Sequence, residues 1–251
     1  PLSLGPEIGQ AIISGSLAAP NPGTIADTQL KPMNQDEFIL GFQKALAKNW
    51  SMGVKAVYRK VNDGMDDYCG HTGIAQWAND NGYKDFDPDS LASCILMNPG
   101  RPLNLMIDAK GDGKLVGVTV PNSYLGLAKY QRTYKALELS MERPFDGKWG
   151  LSGSYVYSVN KGTAEGYVQS DLGQEDAGIT QDFDFGSFTD GAYGTLPNNR
   201  THALKLYGNY ALNDNFRMGA NLTVASGRHT SCIGFVPPTV PDYNGPDGTT
   251  N

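Results

Sequence analysis

No stretch of this chain approaches the roughly 18 continuous apolar residues that a membrane-crossing helix needs, and the mean hydropathy is −0.38. A membrane helix is therefore excluded. Basic residues are in the minority, 20 Lys and Arg against 26 Asp and Glu, for a formal charge of −6. Nucleic acid, which calls for a basic stripe, is not an expected partner. Catalytic signatures are missing too. There is no Gly-x-Ser-x-Gly elbow, phosphate loop, dinucleotide fingerprint or His-Glu-x-x-His, and His71, His202 and His229 are scattered. Asp182 and Asp184 are the nearest approach to a carboxylate pair for sugar hydrolysis, but an Asp-rich loop explains them more simply. Asp108, Asp112 and Gly113, and the run from Asp85 to Asp89, depart from a calcium loop at the positions that matter. No enzyme activity, cofactor or metal is expected.

Cysteine is scarce, three in all. Cys69 and Cys94 fall in one long loop at a spacing that suits a disulfide in an oxidising compartment. A metal site is the weaker alternative, since no Cys-x-x-Cys or neighbouring His pair is present. Cys232 is left over. The chain starts and ends inside loop-like sequence with no leader, and reads as an interior piece of something larger.

What the chain does have is a repeated period of two. Phe38, Leu40, Phe42 and Leu46 alternate with Glu37, Gly41 and Gln43. Met52, Val54, Ala56 and Tyr58 alternate with Ser51, Gly53, Lys55 and Arg59. The same alternation returns through Leu137, Leu139 and Met141, then Leu151, Gly153, Tyr155 and Tyr157, then Leu204 and Leu206, then Met218, Leu222 and Val224. Period two means strand. Six antiparallel strands are expected near residues 36–47, 49–61, 129–143, 148–161, 199–212 and 215–228. Lys48, Asp146 and Asp214 mark tight turns at one end, and long loops, about 62–128, 162–198 and 229–251, stand at the other. An apolar face, a polar face and tight turns at one end only describe an all-β, antiparallel up-and-down transmembrane barrel segment with long extracellular loops. Trp50, Trp149 and Phe216, each opening an upward strand, are the expected interfacial girdle.

The loops are acidic. From Asn62 to Asn98 there are seven Asp and one Lys, and from Asn160 to Asn199 seven acids and one Lys. Solubility or a cation-attracting outer face would each account for this. Within the first loop Asp87, Pro88 and Asp89 predict a helix from Pro88 to Met97 that carries Cys94. Leu103–Ile107 and Leu115–Val120 predict a hairpin.

Several segments resemble a known family. Leu30, Lys31 and Pro32, with Phe38 following, resemble a strand entry of TonB-dependent outer-membrane receptors, with Met33 where Glu is usual. Arg200, His202 and Gly208 after Pro197 resemble a second strand entry, with Asn199 in place of Asp. Gly166 to Val168, Asp176 to Asp184 and Ser226 to Arg228 resemble the Oar-like (OmpA-related) branch. The resemblance covers about residues 26 to 234. It implies a barrel of about 22 strands, of which these are about six, with an N-terminal plug and TonB-engaging segment outside this chain. All of residues 1–251 would then belong to one barrel domain in the outer membrane of a Gram-negative bacterium. Outer-membrane lipid, the TonB system and an unknown ligand are the implied partners, with other outer-membrane proteins as further candidates. The implied function is energised transport of a large or scarce ligand. A structural or adhesive display protein, or a protein-export channel, is the alternative, and a secreted sugar-binding sandwich is a third.

Overall fold

The computed structural model describes residues 21–46, 49–170, 173 and 180–230. Expectations for Lys48, Cys232, residues 176–179 and most of the last loop lie outside them. The alternating segments form β1 (Asn34–Ala45) and β2 (Ser51–Asn62). Between β2 and the next long strand come β3 (Asp66–Tyr68), α1 (His71–Asp80), β4 (Ile95–Met97), β5 (Leu103–Asp108), β6 (Leu115–Val120) and a short α2 (Asn122–Leu125). Then follow β7 (Arg132–Arg143), β8 (Trp149–Gly162), β9 (Gly194–Thr195), β10 (His202–Asn213) and β11 (Phe216–Ala225). The architecture is antiparallel β-sheet with few helices, and no helix among the described residues is long and apolar enough to cross a membrane.

The main sheet runs β1-β2-β7-β8-β10-β11, with β9 joined to β8. Sequence neighbours are spatial neighbours, so the order is up-and-down. Hairpin turns at Asp146 and Asp214 close β7–β8 and β10–β11 at one end, and the long connections leave from the other. In the first of these turns the Asp146 carboxylate accepts from the N–H groups of Lys148 and Trp149 at 2.9 and 3.0 Å and pairs with Arg143. The Arg143 hydrogen bond, followed by these backbone donors, holds its carboxyl well below the usual carboxylate range.

The register joins the alternation of each strand to that of its neighbours. Phe42, Val54, Leu139, Tyr155, Leu204 and Val224 form one unbroken row across six strands. The next rows carry Leu40, Ala56, Leu137 and Tyr157 on one side, and Met52, Met141, Gly153, Leu206 and Leu222 on the other. The opposite face carries Gln43, Gly53, Ser140, Ser154, Lys205 and Thr223. There Lys55 Nζ lies 2.6 Å from Glu138 Oε2, and Arg59 Nε 2.5 Å from Glu37 Oε1. Among the described residues no second sheet covers either face. Phe38, Leu40 and Phe42 are 67%, 78% and 66% exposed.

The core sits elsewhere. Tyr68, Ile74, Trp77, Ile95, Met97, Leu103, Leu105, Ile107, Leu125 and Tyr130 bury one another in the connection between β2 and β7, and Ala164 and Phe183 join them from the connection after β8. The two long loops thus fold together into a cap. Val61 of β2 joins them from the sheet, and burying a side chain of this size contributes about 1.5–3 kcal/mol, so the cluster holds the cap together and seats it on the end of β2.

One loop expectation needs correction. Residues 88–97 do not form a helix. Asp87 caps a single 3-10 turn at Pro88–Ser90, accepting from Asp89 N–H, and Leu91 is already extended at ψ 160°. Ile95–Met97 then pairs antiparallel with Asp66–Tyr68 as β4. Burial of every second residue, Ile95 and Met97, suits a strand, and the disulfide to Cys69 anchors its start. The helix of this loop is α1 instead, whose Ile74, Trp77 and Ala78 face the core. Gly73 lets it sit against α2: a Cβ there would lie 2.1 Å from the Tyr124 carbonyl oxygen. The expected hairpin is present as β5 and β6. Asp108 closes its turn by accepting from the N–H groups of Lys110, Asp112 and Gly113. The carboxylate thus serves a turn.

Candidate functional site

Asn98 is the joint between sheet and cap. It is 2% exposed, and its Nδ2 donates to the carbonyls of Lys31, Asp63 and Gly64 at 2.9, 3.1 and 3.1 Å. Its Oδ1 accepts from Lys31 N–H at 2.8 Å. One side chain therefore replaces a short strand partner for the segment entering β1 and for the chain leaving β2. Arg101 pairs with Asp63 beside it. Leu30 and Pro32 flank this contact, and the Pro32 carbonyl accepts from Asn34 Nδ2. The strand entry at Arg200 and His202 is held differently. Arg200 donates to the Ser226 carbonyl at 2.8 Å, His202 N–H donates to Ser226 Oγ at 3.1 Å, and the Tyr155 hydroxyl lies 2.7 Å from His202 Nδ1. Gly208 lies on the apolar face, where a Cβ would stand 2.9 Å from the Gly150 carbonyl oxygen. The two motifs mark where strands are tied at the cap end of the sheet.

The girdle candidates lie at the other end. Trp50 and Trp149 meet edge to face at 5.9 Å. The Arg143 guanidinium lies 3.8 Å from the Trp149 ring, Lys148 4.8 Å from Tyr210 and Arg217 5.1 Å from Phe145. Phe216 opens β11 with 57% exposure. The three girdle candidates thus share the short-turn edge, two of them in contact and Phe216 apart from them.

Inside the cap the two long loops meet at carboxylates. Asp66, fully buried, accepts from Thr180 N–H at 3.2 Å and from Thr180 Oγ1 at 2.8 Å. Asp67 N–H donates back to Asp66 Oδ1 at 3.0 Å. The Cys69 N–H donates to the Asp184 carbonyl at 2.7 Å, and Gln169 Nε2 donates to Asp182. Burial pushes Asp66 up to about 7, against the hydrogen bond from Thr180. It pushes Asp184 up to about 7 as well, helped by the charges of Asp67 and Asp182. Asp67 is raised by burial. The Tyr130 ring stacks on Phe183 at 5.4 Å, and burial pushes its phenol up to about 12. Asp182 and Asp184 are therefore parts of a loop-to-loop joint.

Cys69 and Cys94 are bonded to each other, with Cα atoms 4.1 Å apart. Asp67 lies close to both sulfurs, but the disulfide removes the thiolates that a metal would need. The bond ties the end of β3 to the start of β4 and encloses α1. Asn98, Thr180 and the Asp66–Asp67 pair escaped sequence reading. An Asn before Pro reads as a loop breaker, and a Thr in an acidic loop as solvent-facing.

No protein-family profile matches the chain, and no solved structure matches it. A curated relative does. The chain is 23% identical over 203 residues to the TonB-dependent transporter Oar of Myxococcus xanthus, covering 81% of this chain and 16% of that protein. The chain therefore spans less than a fifth of the length of the relative it matches.

Proposed function

We propose that this chain supplies part of the wall and the outer loops of an outer-membrane β-barrel transporter that draws energy from the TonB system to pass a large or scarce ligand. The observation that carries the reading is the row from Phe42 to Val224, apolar and in register across six antiparallel strands with a polar face behind it. A soluble protein would cover such a face, whereas a bilayer requires it to be bare. The cap stands where extracellular loops belong, the Trp50–Trp149 edge where the opposite interface belongs, and the open strand edges at β1 and β11 meet the remaining strands of a barrel of about 22. The similarity to a TonB-dependent transporter supports the same reading.

The test is insertion of the full-length polypeptide into phosphatidylcholine vesicles, followed by heat-modifiable migration and by ligand uptake with and without an intact TonB system. Insertion with TonB-dependent uptake is expected. Insertion with no TonB dependence would replace transport by display, a reading that the folded, disulfide-closed cap also suits. Failure to insert would return the chain to the sandwich class.

A further inference from the structure

A groove of about 1040 Å³ lies along β1, β2, β7 and β8, close to the cap. Most of its lining side chains belong to the apolar face. Its walls include Phe38, Leu40, Leu137, Tyr157 and Val159, and the β8–β9 region contributes Tyr193 at its rim, 55% exposed. At the cap end this same face changes character. Lys60, Thr133 and Lys161 stand side by side in one cross-strand row, and Lys135 occupies the next row toward the groove. All three lysines are exposed. Among the described residues none of them forms an ion pair. The acid nearest in register is Asp36, opposite Lys60, and it accepts from Asn62 Nδ2 at 2.8 Å. Lys135 Nζ rests 5.9 Å from the Tyr58 ring.

Three unneutralised ammonium groups on a chain of net charge −6, crowning an apolar groove, are an amphiphile's mirror image. Neighbouring strands are about 4.8 Å apart, so Lys60 and Lys161 bracket a width of about 10 Å, which admits a phosphorylated headgroup between them. We propose that this face binds an acylated lipid carrying phosphate on its headgroup, with the acyl chains along Phe38, Leu40 and Leu137 and the phosphate at Lys60, Lys135 and Lys161. The proposal rests on the membrane reading given above. It adds a specific lipid site on the outer wall, near the cap, separate from any transport path. Lysine suits the task as a point charge toward phosphate, and its stem lies along apolar surface.

The test uses the full-length protein in phosphatidylcholine vesicles, with diphosphorylated lipid A as the probe and native mass spectrometry as the count of retained lipid. Wild type is expected to retain the probe, and the Lys60→Gln, Lys135→Gln, Lys161→Gln triple variant to bind it at least about tenfold more weakly, given the attraction of each basic residue to anionic lipid. Lys205→Gln, on the opposite face, should behave as wild type. Inorganic phosphate should leave the retained lipid in place. Equal retention by the triple variant, or equal retention of a dephosphorylated lipid A, would overturn the site while leaving insertion intact. Full displacement by inorganic phosphate would reduce it to an ion site and overturn it also. Failure of wild type to insert at all is a different result, since it removes the membrane reading itself.

Discussion

Thr180 gives both its backbone N–H and its hydroxyl to the carboxylate of Asp66, a residue 114 positions earlier. The contact fastens the loop after β8 to the loop after β2. Its acceptor is a carboxyl that burial has pushed up to about 7. The joint is therefore polar, buried and responsive to protons.

The pH dependence follows in sign. Asp66 and Asp184 have folded values near 7 against an ordinary 3.8. The folded cap therefore holds more protons than the unfolded chain between these values, and the stability they contribute is complete below about 4 and lost as pH rises through about 7. Hydrogen exchange at the Cys69 and Thr180 amides should quicken over that window. Asp66→Asn should reduce the pH dependence to the part that Asp184 carries. Rates that follow only the intrinsic exchange curve would contradict the assignment.

Asn98→Ala should loosen the union of cap and sheet. It leaves the Lys31 N–H and the carbonyls of Asp63 and Gly64 without their partner, at a cost of about 3 kcal/mol. Denaturant unfolding of the full-length protein, with limited proteolysis between β2 and β7, measures it. Proteolysis no faster than in wild type would show that Arg101 and Asp63 suffice.

Replacing Cys69 and Cys94 together by Ala removes a link that closes a separation of 25 residues. The chain-entropy account gives a loss of about 3.5 kcal/mol. The cap should become labile around α1 while the sheet is unaffected, and reduction of the wild type should reproduce the change. A variant with unaltered cap stability would assign the fold of this loop to Ile74, Trp77 and their neighbours alone.

The two faces of β10 provide the sharpest contrast. Leu206 covers Gly153 on the apolar face, and Lys205 pairs in register with Ser154 on the other. In a bilayer Leu206→Arg should cost about 2–4 kcal/mol of insertion free energy. Lys205→Leu should cost little. Reversible folding into vesicles compares them, and equal tolerance would count against lipid contact.

Much of the sheet was legible because strand periodicity is local. Every second residue from Phe38 to Phe42, or from Leu204 to Leu206, reports which face it occupies before any partner is known. The observed strands fall within a few residues of the expected ones, and the loop hairpin over Leu103 to Val120 was legible for the same reason. The disulfide was readable from two cysteines in one loop.

Tertiary structure decided the cap. Asp87 and Pro88 begin a helical turn in the sequence as in the structure, but Ile95 to Met97 left the helix once Asp66–Tyr68 offered a strand to pair with. Local propensity amounts to tenths of a kcal/mol per residue, while burying an apolar side chain contributes more than one. Helix α1 has no side-chain cap at Gly70 to announce it, and only the core reveals why Ile74, Trp77 and Ala78 are spaced as they are. The same holds for Asn98, for Thr180 on Asp66, and for the row of Lys60 and Lys161. Each depends on residues tens of positions apart meeting in one register, and no local pattern records a meeting of that kind.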